Sequence, residues 1–296
     1  MPRAHHPSPG FPDHLNRLFG SFPFDRSLAQ DPLSCVRPFA SDPRAAEIAG
    51  IYAATLAIGT TASIRSAFAR FVQRAGGDLP AFVDRSASPR TAAALSDFRH
   101  RWIRGDQLAY LARRLKAVYA DAGSLEAVFR RGSADFDGDF AHGLDALAHA
   151  LRGPADAPGT PRGYRALFPS PLDAGSPCKR LVLFVRWMVR SDYPDLGVWK
   201  GVEASSLRIP LDQHVYWIAY HLGLTQRRTR SWATVEEVTD ALRRIDARDP
   251  IKYDFVLCHT GISGDCPKTR DIAVCAPCAV RPDCRLWKGR LPAGAA

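Results

Sequence analysis

The chain has no apolar run near the roughly 18–20 residues that a membrane-spanning helix needs, so no helical membrane span is expected. Residues 1–20 contain no apolar core of the kind a secretory signal carries. Together these absences imply a cytoplasmic protein without a membrane partner, and a monomer is expected. Strand-like alternation of polar and apolar residues is scarce, which argues against an all-β fold. Internal repeats and long low-complexity stretches are also missing, which excludes solenoids and fibrous arrays. Cysteine is nearly absent from the first 250 residues, where Cys35 and Cys178 stand alone.

The other five of the seven cysteines crowd into 258–284. An odd count does not close a disulfide framework, and such crowding in a cytosolic chain points to metal. Lys and Arg outnumber Asp and Glu by 40 to 30, a formal net charge of +10. That balance suits a polyanionic partner, nucleic acid above all. It is equally what an arginine-rich composition gives with no such role, because bulk charge does not say where the charge sits. With 46% hydrophobic residues the chain can bury a sizeable core.

The pattern predicts an all-α chain of many short helices. Residues 1–42, rich in Pro, Phe and His, read as an irregular arm with a short helix near His14–Phe19. Asp42-Pro43 is a cap followed by proline at the first helical position. From there helices are predicted at 45–58, 62–75, 106–122, 125–129 and 141–151. After a Gly- and Pro-rich loop at 153–159, others follow at 177–190, 211–222, 239–245 and 250–259. Two subdomains are expected, 43–207 and 208–296, the second packing with the N-terminal arm.

Four cysteines near the C-terminus, Cys266, Cys275, Cys278 and Cys284, are spaced C-x8-C-x2-C-x5-C. Four soft thiolates so close in sequence can surround one zinc ion or one iron–sulfur cluster. Zinc ribbons carry two separated C-x2-C knuckles, whereas these ligands share one compact loop, which favours a cluster. Cys258, Cys35 and Cys178 read as small buried hydrophobes instead. Lys268, Arg270, Arg281, Arg285, Lys288 and Arg290 surround the loop and would give it a basic face for phosphates, or be ordinary solvated charges.

Residues 177–190 are apolar on nearly all sides, so the helix they form is buried. Ser176 is its expected cap and Pro177 its first residue. That puts Lys179 in the first turn, where the positive helix end and partial burial both disfavour a cation. A lysine kept partly neutral can form a Schiff base. The plainer alternative is a lysine whose head snorkels to water. Asp212 reads as the N-cap of another helix, and alone it needs no further role.

These features together resemble the helix-hairpin-helix DNA glycosylases. The cysteine spacing is similar to the C-x6-C-x2-C-x5-C loop of endonuclease III and the adenine-mismatch glycosylases, with two more residues in the first interval. Lys179 matches in position the lysine opening the buried helix after their hairpin. Leu211-Asp212-Gln213-His214-Val215 resembles their Val-Asp-Thr-His-Ile-like segment. The lysine-to-aspartate interval is closer to that of the archaeal 8-oxoguanine glycosylases. Over roughly 30–260 the chain also resembles a bacterial family of conserved hypothetical proteins near this superfamily, through segments around Lys179–Arg190, Asp195–Trp199, Pro210–Val215 and Asp249–Phe255.

The resemblance implies base excision from double-stranded DNA by a glycosylase with AP-lyase activity. Asp212 would stabilise charge on the sugar, Lys179 would form the Schiff base, and the four cysteines would hold a structural [4Fe–4S] cluster, with zinc as the alternative. Gly175 and Ser176 stand at the hairpin, degenerate over 168–178. Arg180 and Arg186, with Arg190, would serve phosphates or the flipped base. Helical spacing sets Arg186 and Arg190 on one face and Arg180 elsewhere. Trp187 and Trp199 are either stacking residues or core. The usual Leu-Pro-Gly-Val-Gly hairpin is replaced by a segment with one glycine and neighbouring prolines. That favours a second reading, a catalytically inactive DNA-binding iron–sulfur protein of the same fold.

Overall fold

A computed structural model describes residues 7–287. It is mostly helical. Among the described residues the strands are Arg99–His100 and Ile103–Arg104, an antiparallel hairpin. The chain forms two compact units, one made of residues 25–206, the other of 1–24 with 207–296.

In the 25–206 unit the central element is the helix Pro43–Thr55, buried from Ala45 to Thr55. Its start follows the sequence signal: Asp42 accepts from the Arg44 and Ala45 N–H groups, with Pro43 at the first position. Small residues let it pack closely on the helix Lys179–Val189. A Cβ at Gly50 would come within 2.8 Å of Met188 Cε and 3.2 Å of the Phe184 ring, so only glycine fits there without displacement. Around this pair lie the helices Thr61–Ala75, Gly105–Ala122, Leu125–Ala134 and Phe140–Arg152. Five shorter helices were not legible as periodic segments: Phe24–Leu28, Leu33–Val36, Leu79–Asp84, Pro89–Ala94 and Pro171–Ala174.

Glu47 ties this unit together. It is 3% exposed. Its two carboxylate oxygens accept from the Leu125 N–H at 3.1 Å and the Glu126 N–H at 3.0 Å, which open a helix. They also accept from the Tyr119 hydroxyl at 2.9 Å and the Trp199 indole at 2.7 Å. Burial raises the Glu47 pKa, and these donors act against it.

In the other unit the helices are Phe11–Gly20, Gln213–Leu222, Trp232–Arg243 and Asp254–Ile262, with the short Ile272–Cys275 inside the cysteine loop. The N-terminal segment is bound to the far end of the chain. Asp283, fully buried, accepts from the Ser8 N–H at 2.8 Å and bonds His14 Nδ1 at 2.7 Å. Burial raises the Asp283 pKa, but these bonds outweigh it and the net shift is downward. Tyr253 donates to Asn16 at 2.6 Å. Phe19, Phe22 and Phe24 pack edge-on or stacked against Tyr253 and Phe255. The unit boundary on the N-terminal side therefore falls at 24/25, not at 42/43 where composition changes.

Candidate metal centre and catalytic residues

The four-cysteine loop is a series of tight turns. The Cys266 N–H bonds the Thr260 carbonyl at 3.0 Å, joining the loop to the end of the Asp254–Ile262 helix. Asp271 caps the turn ending in Cys275 through the Val274 N–H. The Cys278 N–H reaches the Cys275 carbonyl at 3.2 Å, and the Cys284 N–H reaches Arg281 at 3.0 Å. The Arg285 N–H closes the loop on the His221 carbonyl at 2.7 Å.

All four cysteines line one recess. Leu18, Ile218, Leu222, Leu257 and Val280 supply its apolar wall. Burial raises the pKa of Cys266, Cys278 and Cys284, and the charge of the neighbouring cysteines raises each further. Thiols that repel one another as thiolates are what a shared cation relieves. Among the described residues a separate set with ligand atoms within 4.8 Å of one another is Asp145, His149 and Asp173. The Asp145, His149 and Asp173 set is an exposed surface group whose charge Arg152 already meets at 2.7 Å from Asp173.

The basic residues of the loop are partly engaged. Arg270 donates to the Leu286 carbonyl, and the Arg270 and Arg281 guanidiniums both lie over Trp287, at 4.9 and 5.1 Å. Arg285 lies 4.0 Å over Tyr220 and donates to Gln226. Lys268, with φ +63°, brings its Nζ within 3.4 Å of His214 Nδ1. Lys288 and Arg290 lie outside the described residues.

Asp212 caps the helix whose far end walls the recess. Its Oδ1 accepts from the Val215 N–H at 2.8 Å. Its Oδ2 accepts from the Cys258 thiol at 3.5 Å, a contact with no sequence signal. His214 faces Gly261, where a Cβ would come 2.7 Å from His214 Cβ, so two helices pass at glycine distance.

Lys179 lies in the 25–206 unit and Asp212 in the other. Lys179 is the first residue of its helix and half-buried. Among the described residues its ammonium has no hydrogen bond or ion pair. The helix begins two residues later than the sequence predicts. Cys178, not Ser176, is the cap, held at φ +47°, because Ser176 instead accepts from the Cys178 N–H at 3.2 Å and turns the chain first. The Cys178 thiol is buried against the Pro169 and Ser176 carbonyls, and burial pushes its pKa up to about 12. The segment before it is one helical turn capped by Ser170, then Gly175 at φ +58°. A Cβ on Gly175 would meet nothing within 4 Å.

Several residues expected at a DNA surface face inward. Arg186 is 2% exposed and pairs with the buried Asp195, as does Arg190, because their four-residue spacing aims both at one carboxylate. Arg186 is therefore a charge held in the interior, not a phosphate contact. Trp187 and Trp199, 2% and 3% exposed, are core. Arg180 donates to the Thr55 carbonyl at 3.2 Å and the Ala166 carbonyl at 3.4 Å, meeting the C-terminal end of the Pro43–Thr55 helix. Burial lowers its pKa to about 10. The exposed tryptophan of this unit is Trp102, at the hairpin tip, which the sequence reading passed over.

No curated protein and no solved structure matches the chain. Residues 31–263 match the model of a family described as protein of unknown function (DUF2400), a span that stops short of Cys266. The match covers well over half of the sequence, and the chain belongs to the DUF2400 family.

Proposed function

We propose that the chain is a DNA base-excision glycosylase with AP-lyase activity, using Lys179 and Asp212, and that Cys266, Cys275, Cys278 and Cys284 hold a structural [4Fe–4S] cluster. One observation carries the reading: the four thiols gather in a recess against the helix that Asp212 caps. That arrangement accords with the order of lysine helix, aspartate cap and cysteine loop in which this sequence resembles endonuclease III.

Cleaving an N-glycosidic bond builds positive charge on the sugar, which a fixed carboxylate stabilises. Asp212 is held for that task by its own helix and by Cys258. The Lys179 amine would attack C1′ while the base leaves with a proton. Opening of the sugar then gives an imine, and loss of a C2′ proton expels the 3′ phosphate. A lysine at the start of a buried helix, with no hydrogen-bond or ion-pair partner among the described residues, suits this role once its amine is deprotonated. The cluster when bound would supply a fixed scaffold for the loop and its arginines.

Borohydride trapping on DNA carrying abasic or 8-oxoguanine sites tests the lysine. A covalent adduct with the wild-type chain, absent in Lys179→Ala, is the expected result. No wild-type adduct, or an undiminished one in the variant, defeats the lyase chemistry, and a base-release assay then tests a monofunctional glycosylase.

The turn before Lys179 favours a second reading, DNA binding without catalysis. Where a glycine-rich hairpin offers bare N–H groups to a phosphate, this chain has Cys178 with its side chain folded onto Pro169. DNA binding without adduct or base release would select that reading.

A further inference from the structure

The hairpin Arg99–Arg104 reads Arg-His-Arg-Trp-Ile-Arg. Its base is pinned. The His100 ring bonds the Leu56 and Ile58 carbonyls at 3.0 Å each, and burial lowers its pKa. Arg70 donates to the Arg99 carbonyl at 3.1 Å. The Gly105 N–H bonds the Phe98 carbonyl at 3.0 Å. Its tip is open: Trp102 is 48% exposed in a unit that buries Trp187 and Trp199.

The surroundings of that indole are cationic. The Arg180 guanidinium lies 5.5 Å from its ring centroid. Arg101, exposed at φ +53°, lies over Gly59, where a Cβ would come 2.9 Å from its Nε. The nearby acids are already matched: Asp97 is held by Arg74 and Asp106 by Arg104. A lone exposed aromatic needs no explanation. An exposed indole on a pinned hairpin, with the Arg180 guanidinium against its ring and the exposed Arg101 next to it in the chain, has the features of a stacking platform with phosphate contacts beside it.

We propose that the Trp102 indole, backed by the Arg180 guanidinium, stacks an unpaired base of DNA, with Arg99 and Arg101 meeting the adjoining backbone. Paired bases hide their faces in the stack, so an indole reads a base only where it is extrahelical or single-stranded. Arg180 follows Lys179 in the chain and reaches the indole, which sets the platform beside the start of the Lys179 helix. The proposal rests on the nucleic-acid reading above and is independent of the lysine chemistry.

The test uses the full-length chain, Trp102→Ala and Trp102→Phe, each shown folded by circular dichroism. Binding is measured by fluorescence anisotropy to single-stranded oligothymidine and to a base-free oligomer of the same backbone, at several salt concentrations. Trp102→Ala is expected to weaken oligothymidine binding roughly 5- to 150-fold. Its affinity for the base-free strand and its salt slope should match the wild type, and Trp102→Phe should keep most of the affinity. Wild-type binding to oligothymidine that Trp102→Ala leaves intact overturns the platform and spares the glycosylase reading. An equal loss on both oligomers overturns base stacking. A wild-type chain that binds neither, or a Trp102→Ala effect confined to self-association or to an acidic protein, overturns the surface as a DNA site.

Discussion

Replacing Glu47 should cost more stability than replacing any ligand-facing residue of its unit. Glu47→Ala strands four donors at once, the Leu125 and Glu126 N–H groups, the Tyr119 hydroxyl and the Trp199 indole. Each buried donor left without a partner costs about 1–3 kcal/mol, so the total is at least ~4 kcal/mol. A domain of this size has about 5–15 kcal/mol to lose, and Glu47→Ala should be largely unfolded at 37 °C. Glu47→Gln keeps one acceptor oxygen and turns an amide NH2 toward the other pair of donors. The Tyr119 hydroxyl can rotate to accept from it, one backbone N–H cannot, and the cost falls to about 1–3 kcal/mol. Because the folded pKa of Glu47 is raised above its ordinary 4.5, its contribution is complete below that value and declines as pH rises through the folded pKa. The deficit of Glu47→Gln should therefore narrow from acid toward neutral pH. Urea titrations with fitted slopes at several pH values measure all three quantities. A Glu47→Ala deficit under ~1 kcal/mol would refute the assignment of Glu47 as the anchor of that helix start.

Serine at Cys266, Cys275, Cys278 or Cys284 should abolish iron and sulfide content and the broad visible absorption of a cluster, whereas Cys258→Ala should keep them; a colourless protein with one equivalent of zinc would reverse the metal assignment. Gly261→Ala should lose about 1–3 kcal/mol, since the new Cβ would come 2.7 Å from His214 Cβ, and thermal melts with metal analysis would read it beside Cys266. Asp246 bonds Lys252 at 2.7 Å. Burial raises the Asp246 pKa, but this bond and two backbone N–H groups bring it below its ordinary 3.8. Its stabilisation is present above 3.8 and lost as pH falls through the folded value. Asp246→Asn should flatten that limb by about 1 kcal/mol, as a partly exposed pair does, and acid titration of the two proteins compares them.

Helical content was legible because long amphipathic segments carry their period and their caps. Asp42-Pro43 names the start of its helix, and Thr61–Ala75 ends at Gly76 with φ +85°, a residue type that permits the turn. The hairpin was not legible, because strands of two residues cannot show alternation. The start of the Lys179 helix was misread for a local reason. Ser-Pro is a good cap signal, but the Ser176 hydroxyl is already taken by the Cys178 N–H, and that turn delays the helix. Arg186 and Arg190 were placed on one face by spacing, yet spacing does not say whether a face meets water. The chain returns past the helix end and brings Asp195 beneath them. Trp187 and Trp199 were ambiguous for the same reason, and Trp102 drew no attention because its neighbours carry no helical pattern.

The cysteine loop and the family-matched span divide at 263, and the contacts of the loop explain what a metal there would do. Asp283, beside Cys284, binds Ser8 and His14, so the loop holds a segment some 270 residues distant in sequence. Closing a ring of that length costs only slowly increasing entropy, but two hydrogen bonds give little surplus over it. A cluster that fixes Cys284 would hold Asp283 in place before the N-terminal segment arrives, which lowers the ordering cost of the clamp. Removing the cluster should then release residues 7–20 to hydrogen exchange while Glu47 and the Pro43–Thr55 helix stay protected. Equal loss of protection at both places would show that the loop stabilises the whole chain and not its two ends alone.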